Sequence, residues 1–447
     1  MFKEVEDASL EFLEVSKNKP IRLISTRGVS GMTCAAILVK TLQRLDKKFS
    51  LKITQNLNSE TIQEELKKYQ DTLFILCNAG SKNLEDFKDS KNKIFIFDSK
   101  KSVGEISENV TLLNFEKLKQ LSDKDLTSSS ICYLFSKSIS DKNKDLAKIA
   151  IIDAMENENS LEESEINSLI VADIKDLKIK DGIALYPATR PLKRILEYST
   201  TPYIPGVTGN GPGVSKLLKE TNLSPSKSLI DLNEKEMSRL ITAIKIRQSR
   251  NGHTASFPKK IYLLKLFDNL EDVREISFLI DVCSKLGENS VAISYILGAK
   301  KAKSKALEIY TKYRQELISG LRVAEQTEKI NGNGFVIFNT KDKVKETFVD
   351  AICSILSSSP DYEEGTTLVG MSYNKDKIKI SARIIGKTTK NLKEIFERTI
   401  STFRGKNKGD TLVSGHKLKA GCSLEKDSEG VFLENLKKNL EIEIIKM

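Results

Sequence analysis

The chain has 447 residues, enough for two to four domains at roughly 150 residues each, so a single small binding module is excluded. It carries 72 Lys and Arg against 61 Asp and Glu, a formal net charge of +11 that favours polyanionic partners. Its two histidines, His253 and His416, exclude a multi-histidine metal centre within one subunit.

Six cysteines (Cys34, Cys77, Cys132, Cys283, Cys353 and Cys422) lie far apart with no CxxC pair, as scattered buried thiols of a reducing cytosol would. The N-terminus, MFKEVEDASLEFLEV, lacks the basic start and continuous apolar run of a secretory signal. No stretch reaches the roughly 20 apolar residues of a membrane span. A soluble intracellular protein with no membrane contact is expected.

Residues 21–115 alternate short apolar runs with helical patterns: IRLIST from Ile21, a helix over about 32–45, LKIT from Leu51, LFILCNA from Leu73, KIFIFDS from Lys93 and VTLLNF from Val110. Short apolar runs separated by helices predict strands buried on both faces of a parallel sheet. Helical patterns continue over 128–155 and lead into DAMENENSLEESE from Asp153, with six acids and no base. This run reads either as a solvated surface or as a partner-docking face.

Pro and Gly then cluster in YPATRP and in STTPYIPGVTGNGPG over 199–213, a composition that excludes regular helix and marks a boundary loop. A mostly helical region follows. Within it residues 291–330 read as one long connecting helix, bent, if anywhere, near Gly298 or Gly320. Beyond NGNG, the strands GFVIF, TTLVGMSY and KIKISARI alternate with two helices. The expected organisation is a parallel-sheet α/β domain over 1–190, a helical middle region with its connecting helix over 191–330, and an α+β domain over 331–447.

Between Lys379 and Gly421, eleven bases less three acids leave a local +8, and 242–260 adds Lys245, Arg247, Arg250, Lys259 and Lys260 without an acid. Such blocks read as solvated surface or as a track for a phosphodiester backbone, bound by counterion release. Aromatic residues make up 6% of the chain, so backbone contact should outweigh base stacking. Phe257, Tyr373 and Phe403 are the candidate stackers, though such residues more often serve packing.

Several segments, in order, resemble one family. IRLISTRGVSGMTCAAIL from Ile21 resembles the opening motif of the DHH phosphoesterase superfamily, a strand ending in an HxDxDG loop before a buried helix. KIFIFDSKK from Lys93 resembles the strand bearing the Asp-His-His signature, and YSTTPYIPGVTG from Tyr198 the segment after the first domain of archaeal RecJ-like proteins. ISARI from Ile380, with SGHKLKAG from Ser414, is similar to the DHH-associated domain and its GGHxxAAG loop. The match runs over essentially the whole chain.

In active members, the resemblance implies, aspartates and histidines of the first three motifs hold two divalent metals, usually manganese, that activate a water against a phosphodiester. Here Thr26 stands at the histidine, Gly28 and Ser30 at the aspartates of the opening motif, and Asn78 where the second motif needs an aspartate. The signature reads Asp98, Ser99, Lys100; Asp153 falls near the fourth carboxylate, with Ala154 there in a gap-free reading. Asn lacks the charge that holds a hard cation, and Lys100 would repel one. No metal, no cofactor and no hydrolysis by the family mechanism are therefore expected, and Asp98 and Asp153 read as polar residues kept for loop hydrogen bonds.

The C-terminal loop keeps Gly415, His416, Ala420 and Gly421, with Ser414 and Lys419 replacing a glycine and an alanine of the family pattern. Glycines admit phosphate oxygens to backbone N–H groups, while His416, Lys417 and Lys419 add contacts. Arg383 is the candidate phosphate clamp. The plainer readings are a tight turn for the glycines and a surface ion pair for Arg383.

A RecJ-like frame without its metals resembles the noncatalytic DHH-derived subunit of the CMG replicative helicase. That resemblance implies an archaeal replication protein of the nucleoid that binds GINS, MCM and single-stranded DNA, with GINS meeting the N-terminal domain. Two readings compete with it. One is a manganese- or magnesium-dependent 5′–3′ single-strand exonuclease; the other is a nucleotide sensor taking a phosphate at Gly28, Ser30 and Gly31, where a helix begins.

Overall fold

The computed structural model describes residues 2–55, 57–116, 118, 126–155, 164–183, 185–199, 204–249, 259–266, 269–357, 362–386, 388–401 and 413–441, with Ser249 and Lys259 described by their backbone alone. Most of the acidic run after Asp153 lies outside these residues. So do His253, Phe257, Phe403 and the bases Arg250, Lys387, Arg404, Lys406 and Lys408.

Helix α1 (Lys3–Val15) precedes β1 (Ile21–Thr26), α2 (Val29–Arg44), β2 (Phe49–Thr54), α3 (Ser59–Lys68), β3 (Leu73–Cys77), β4 (Ile94–Phe97) and β5 (Val110–Leu113). The five strands form a parallel sheet in the order β2-β1-β3-β4-β5, so the apolar runs are the strands their composition suggests. Side chains alternate between its two faces. Ile24, Phe74, Leu76, Ile94 and Ile96 cluster with Ile62 of α3, whereas Phe95 and Phe97 point the other way. There Phe12 of α1 meets Phe95 edge-on at 5.6 Å and Phe135 at 5.4 Å. Phe135 lies on α4 (Ser128–Ile139), which a 3-10 segment joins to α5 (Ala147–Ala154), followed by α6 (Glu165–Ala172). The C-terminal ends of β1, β3 and β4 thus open at one edge of the sheet, the edge where a sheet of this topology presents ligand groups.

Next come β6 (Lys178–Gly182), α7 (Leu192–Glu197), α8 (Gly211–Glu220), α9 (Glu234–Ser249), β7 (Lys259–Lys265) and β8 (Leu270–Asp272). The Pro/Gly stretch is less purely loop than its composition suggests. Pro191 precedes α7, and α8 starts inside GPG because the Asn210 side chain accepts a hydrogen bond from Gly213 N–H, capping it. The middle region is also not wholly helical, since it holds β7 and β8, which form a small antiparallel sheet with β6 of the preceding region.

Helices α10 (Val273–Lys285), α11 (Asn289–Ile296) and α12 (Lys300–Gln326) follow. The single helix expected over 291–330 is broken, not bent. Gly298 takes φ +86°, Ala299 N–H reaches back to Ser294 O at 2.9 Å, and this closing pattern ends α11. Gly320, by contrast, leaves α12 uninterrupted over its 27 residues. A side chain there would come within 2.9 Å of Ile352, so that glycine serves packing.

The remaining elements are β9 (Lys329–Gly332), β10 (Phe335–Asn339), α13 (Val349–Leu356), β11 (Thr367–Asn374), β12 (Lys377–Ile384), α14 (Leu392–Ser401), β13 (Ser414–His416), β14 (Lys419–Glu425) and α15 (Glu429–Glu441). They build a six-stranded mixed sheet in the order β13-β14-β12-β11-β10-β9. Val369, Met371, Ile380 and Ala382 pack with Phe396 of α14 and Phe432 of α15, leaving Ser381 and Arg383 on the opposite face toward α13. The architecture is the α/β class, with an N-terminal parallel sheet and a C-terminal α+β region.

By internal contacts the chain forms two compact units. One comprises residues 1–190, 228–230 and 258–310; the other comprises 191–227, 231–257 and 311–447, so residues 191–330 are divided between them. Among the described residues no helix is long and apolar enough to cross a membrane. Phe12 joins α1 to both β4 and α4, and Phe12→Ala should cost the first unit about 3–5 kcal/mol. Denaturant unfolding followed by a probe in that unit measures the loss.

Candidate functional site

Strand β1 ends at Thr26, β3 runs into Asn78 and β4 into Asp98, so the positions that the resemblance assigns to metal ligands gather at one sheet edge. There they bond to one another. Asn78 Nδ2 donates to Thr26 Oγ1 at 2.8 Å, and its Oδ1 accepts from Ser128 Oγ at 3.0 Å. Ser128 Oγ in turn accepts from the backbone N–H of Ser99 at 3.0 Å. Thr26, Asn78 and Ser99 are therefore joined through one serine in a neutral chain.

A second cluster lies beside the start of α2. Ser30 Oγ donates to Asp153 Oδ1, Ser129 Oγ donates to Asp153 Oδ2 at 2.7 Å, and Thr33 and Ser129 share a hydroxyl contact at 2.5 Å. Asp153 is only 2% exposed, and burial pushes its carboxyl above the usual range although Ser30, Ser129 and Thr127 pull it down by hydrogen bonding. Asp98 is also buried; its oxygens accept from the backbone N–H groups of Ser81 at 3.3 Å and Lys100 at 3.2 Å. The backbone N–H of Gly28, a donor the nucleotide-sensor reading needs, is given to Ser284 Oγ at 2.7 Å. Lys100 is exposed.

This donor set does not match a two-metal centre. Its two carboxylates already accept hydrogen bonds on both oxygens, and its amide is oriented by a donor on one side and an acceptor on the other. Among the described residues no group of three or more His, Cys, Asp or Glu is arranged to hold a metal ion. The thiols of Cys34, Cys77 and Cys132 are fully buried, and burial raises them, so they are inert packing groups.

The C-terminal motif is a β-hairpin of β13 and β14, not a loop. Register sets Ser414 opposite Gly421, His416 opposite Lys419, and Lys419 opposite Arg383 of β12. Gly415 has φ +130°, and a Cβ would lie 2.1 Å from Lys419 O, so this place in β13, just before the turn, needs glycine. Gly421 sits in the ladder between β12 and β13, and Ser414 Oγ donates to its carbonyl at 3.3 Å. The His416 and Lys417 side chains are exposed, and His416 Nδ1 accepts from Leu418 N–H at 3.4 Å. The tip is tied down by its backbone, since the carbonyls of Lys417 and Leu418 accept from the N–H groups of Leu392 at 2.8 Å and Ile384 at 3.0 Å.

Arg383 and Lys419 share an acid that the motif does not include. Arg383 Nη2 lies 3.2 Å from Asp350 Oδ1, and Lys419 Nζ 2.8 Å from Asp350 Oδ2. Burial alone would raise Asp350, but Lys419, Ser381 and Arg383 outweigh it and hold the carboxyl below its ordinary value. In the second basic block Arg247 is likewise paired, with Glu220. Tyr373 donates to Glu429 at 2.6 Å and lies under the Lys426 ammonium, so it serves packing.

Three residues that shape these sites escaped the motif reading: Ser128, Ser129 and Asp350. The serines had a signal, the run TSSS before an apolar helix, in which Thr127 caps α4 by accepting from Ser130 N–H at 3.1 Å. Asp350 had none, because its partners Ser381, Arg383 and Lys419 lie 31, 33 and 69 residues away.

Residues 186–260 match the DHH-CID domain family. An uncharacterised protein of Methanocaldococcus jannaschii is 24% identical over 451 residues, covering 97% of this chain and 96% of that one. The fold matches manganese-bound RecJ from Thermus thermophilus with a TM-score of 0.58 at 14% identity, over 98% of this chain and 55% of that one. The chain thus has a DHH-type, RecJ-like fold. More particularly it resembles CDC45: the structure of CDC45 from Entamoeba histolytica matches with a TM-score of 0.71 at 11% identity, over 98% of this chain and 99% of that one.

Ser128→Ala should leave Asn78 Oδ1 and Ser99 N–H unpaired and cost about 1–3 kcal/mol in denaturant unfolding. Asp350 carries the opposite kind of dependence, on pH. Its carboxyl is lowered in the folded state, so its contribution to stability is complete above the unfolded value of about 3.9 and fades as pH falls through the lower folded value. Lys419→Met should therefore be less stable than the parent at pH 7, and thermal unfolding across acid pH should show the gap closing only below that range.

Proposed function

We propose that this protein is a non-hydrolytic RecJ-like component of a CMG-type replicative helicase, a frame that contacts GINS and MCM and holds single-stranded DNA. The observation that carries the reading is the state of the former ligand positions. Thr26, Asn78 and Ser99 are bonded into a neutral chain, and both oxygens of Asp98 and Asp153 accept hydrogen bonds within the protein. A pair of hard cations needs several anionic oxygens aimed at common points. Two separately satisfied carboxylates beside Lys100 leave hydrolysis by the family mechanism without its cofactor. The likeness to CDC45 over nearly the whole of both chains supports the same reading.

In this proposal the three sequence regions divide the work. Residues 1–190 offer the surface to GINS, 191–330 link and brace, and 331–447 present the strand-binding face. The cations of that face are Lys417, exposed at the hairpin tip, with Arg383 and Lys419 behind it; Ser414, Gly415, His416 and Gly421 shape the hairpin. The protein acts at the replication fork, in the nucleoid of an archaeal-type cell, with no cofactor of its own.

The test pairs chemistry with company. Manganese titrated into the purified protein should give no binding heat and no nucleotide release from single-stranded DNA, and tagged protein recovered from its host should bring GINS and MCM subunits. Turnover with manganese, abolished by Asp98→Ala, would establish the exonuclease instead. Neutralising Lys417 and Lys419 together should weaken single-strand binding alike across sequences and flatten its dependence on log salt by about 0.7 for each phosphate no longer neutralised.

A further inference from the structure

Strand alternation places Ser381 and Arg383 on the face of β12 opposite the apolar cluster, pairing sets Lys419 across from Arg383, and the first turn of α13 brings Asp350 onto the same spot. Asp350 Oδ1 accepts from Ser381 Oγ at 2.8 Å and from Arg383 Nη2 at 3.2 Å, while Oδ2 accepts from Lys419 Nζ at 2.8 Å. The carboxylate therefore sits in a three-sided cradle of donors drawn from two strands. Such a cradle also has the chemistry that recognises a phosphate.

Two details mark Asp350 as an imperfect occupant. A carboxylate that saturated Arg383 would take two parallel N–H groups of the guanidinium, yet Asp350 takes one. Arg383 Nε is closed to solvent and has no acceptor among the described residues. The cluster also keeps a net charge of +1, from two cations and one acid, at side chains 22%, 34% and 44% exposed for Arg383, Lys419 and Asp350.

We propose that Asp350 is a tethered anion occupying the seat of an internucleotide phosphate, so that a single strand binds here by displacing its carboxylate from Arg383 and Lys419. The inference rests on reading the C-terminal region as a strand-binding face. The exchange replaces one anion by another, with Arg383 gaining a bidentate partner through Nε and Nη2. Because the tethered carboxylate competes at high effective concentration, every phosphate that enters is readily expelled. A strand would be held here loosely enough to move through.

Anisotropy of labelled oligothymidylate with the full chain, across a salt series, tests this. Asp350→Asn should bind more tightly, by roughly five- to twentyfold, with a dependence on log salt steeper by about 0.7 for each phosphate newly neutralised. Adding Arg383→Gln to that variant should erase the gain. Asp350→Ser serves as the second variant, with circular dichroism reporting that each is folded. Wild-type binding left unchanged or weakened in both variants overturns the inference and spares the strand-binding face. Absence of binding by the wild type and by every variant overturns that face and this inference together.

Discussion

At position 78 an amide does what a carboxylate cannot: it donates to Thr26 while accepting from Ser128. Asn has nearly the shape of Asp without its charge, so the end of β3 is neutral. An aspartate there would add a charge at this edge and could meet Thr26 only if that hydroxyl turned round to donate. The amide avoids both, and through Ser128 it ties the end of β1 to the loop after β4. The rest of the edge follows from this neutral link. With no central anion, Asp98 turns to backbone N–H groups and Asp153 to hydroxyls, and each carboxylate is satisfied where it stands.

The C-terminal sheet shows the complementary condition, with charge retained but internally countered. Strand pairing concentrates Arg383 and Lys419, and Asp350 offsets them in part. A count of basic residues therefore overstates the attraction this face exerts. Lys417 stands out from the pair, at the tip of a hairpin whose first strand admits only glycine at 415. In the first unit the carboxylates are satisfied by neutral donors, and in the second an acid tempers two neighbouring cations.

Much of the fold was legible because its signals are local. The runs LFILC and IFIF are continuous and apolar, as strands covered on both faces tend to be, and with IRLIST, interrupted by Arg22, they form the centre of the sheet. Where competing signals existed the reading failed. Good helix formers flank Gly298, but a left-handed cap there ends α11, and Gly320, which looked like a weak point, admits Ile352 against an unbroken helix. The small sheet of β6, β7 and β8 was missed because β6 lies far from its partner β7 in the chain and is mostly polar, and β8 is only three residues long. The positions that the resemblance assigns to ligands came from local motifs; the hydroxyls bonded to them did not, since Ser128 and Ser129 matter through contacts 50 and 24 residues distant.

The hairpin tip is fastened through its backbone on two sides, to Leu392 at the head of α14 and to Ile384 at the end of β12. A polyanion meeting Lys417 would freeze only the rotamers of that side chain, because the main chain beneath it has already given up its freedom during folding. Contact at this point consequently carries a small entropic penalty, and the grip can form and release without any refolding of the protein.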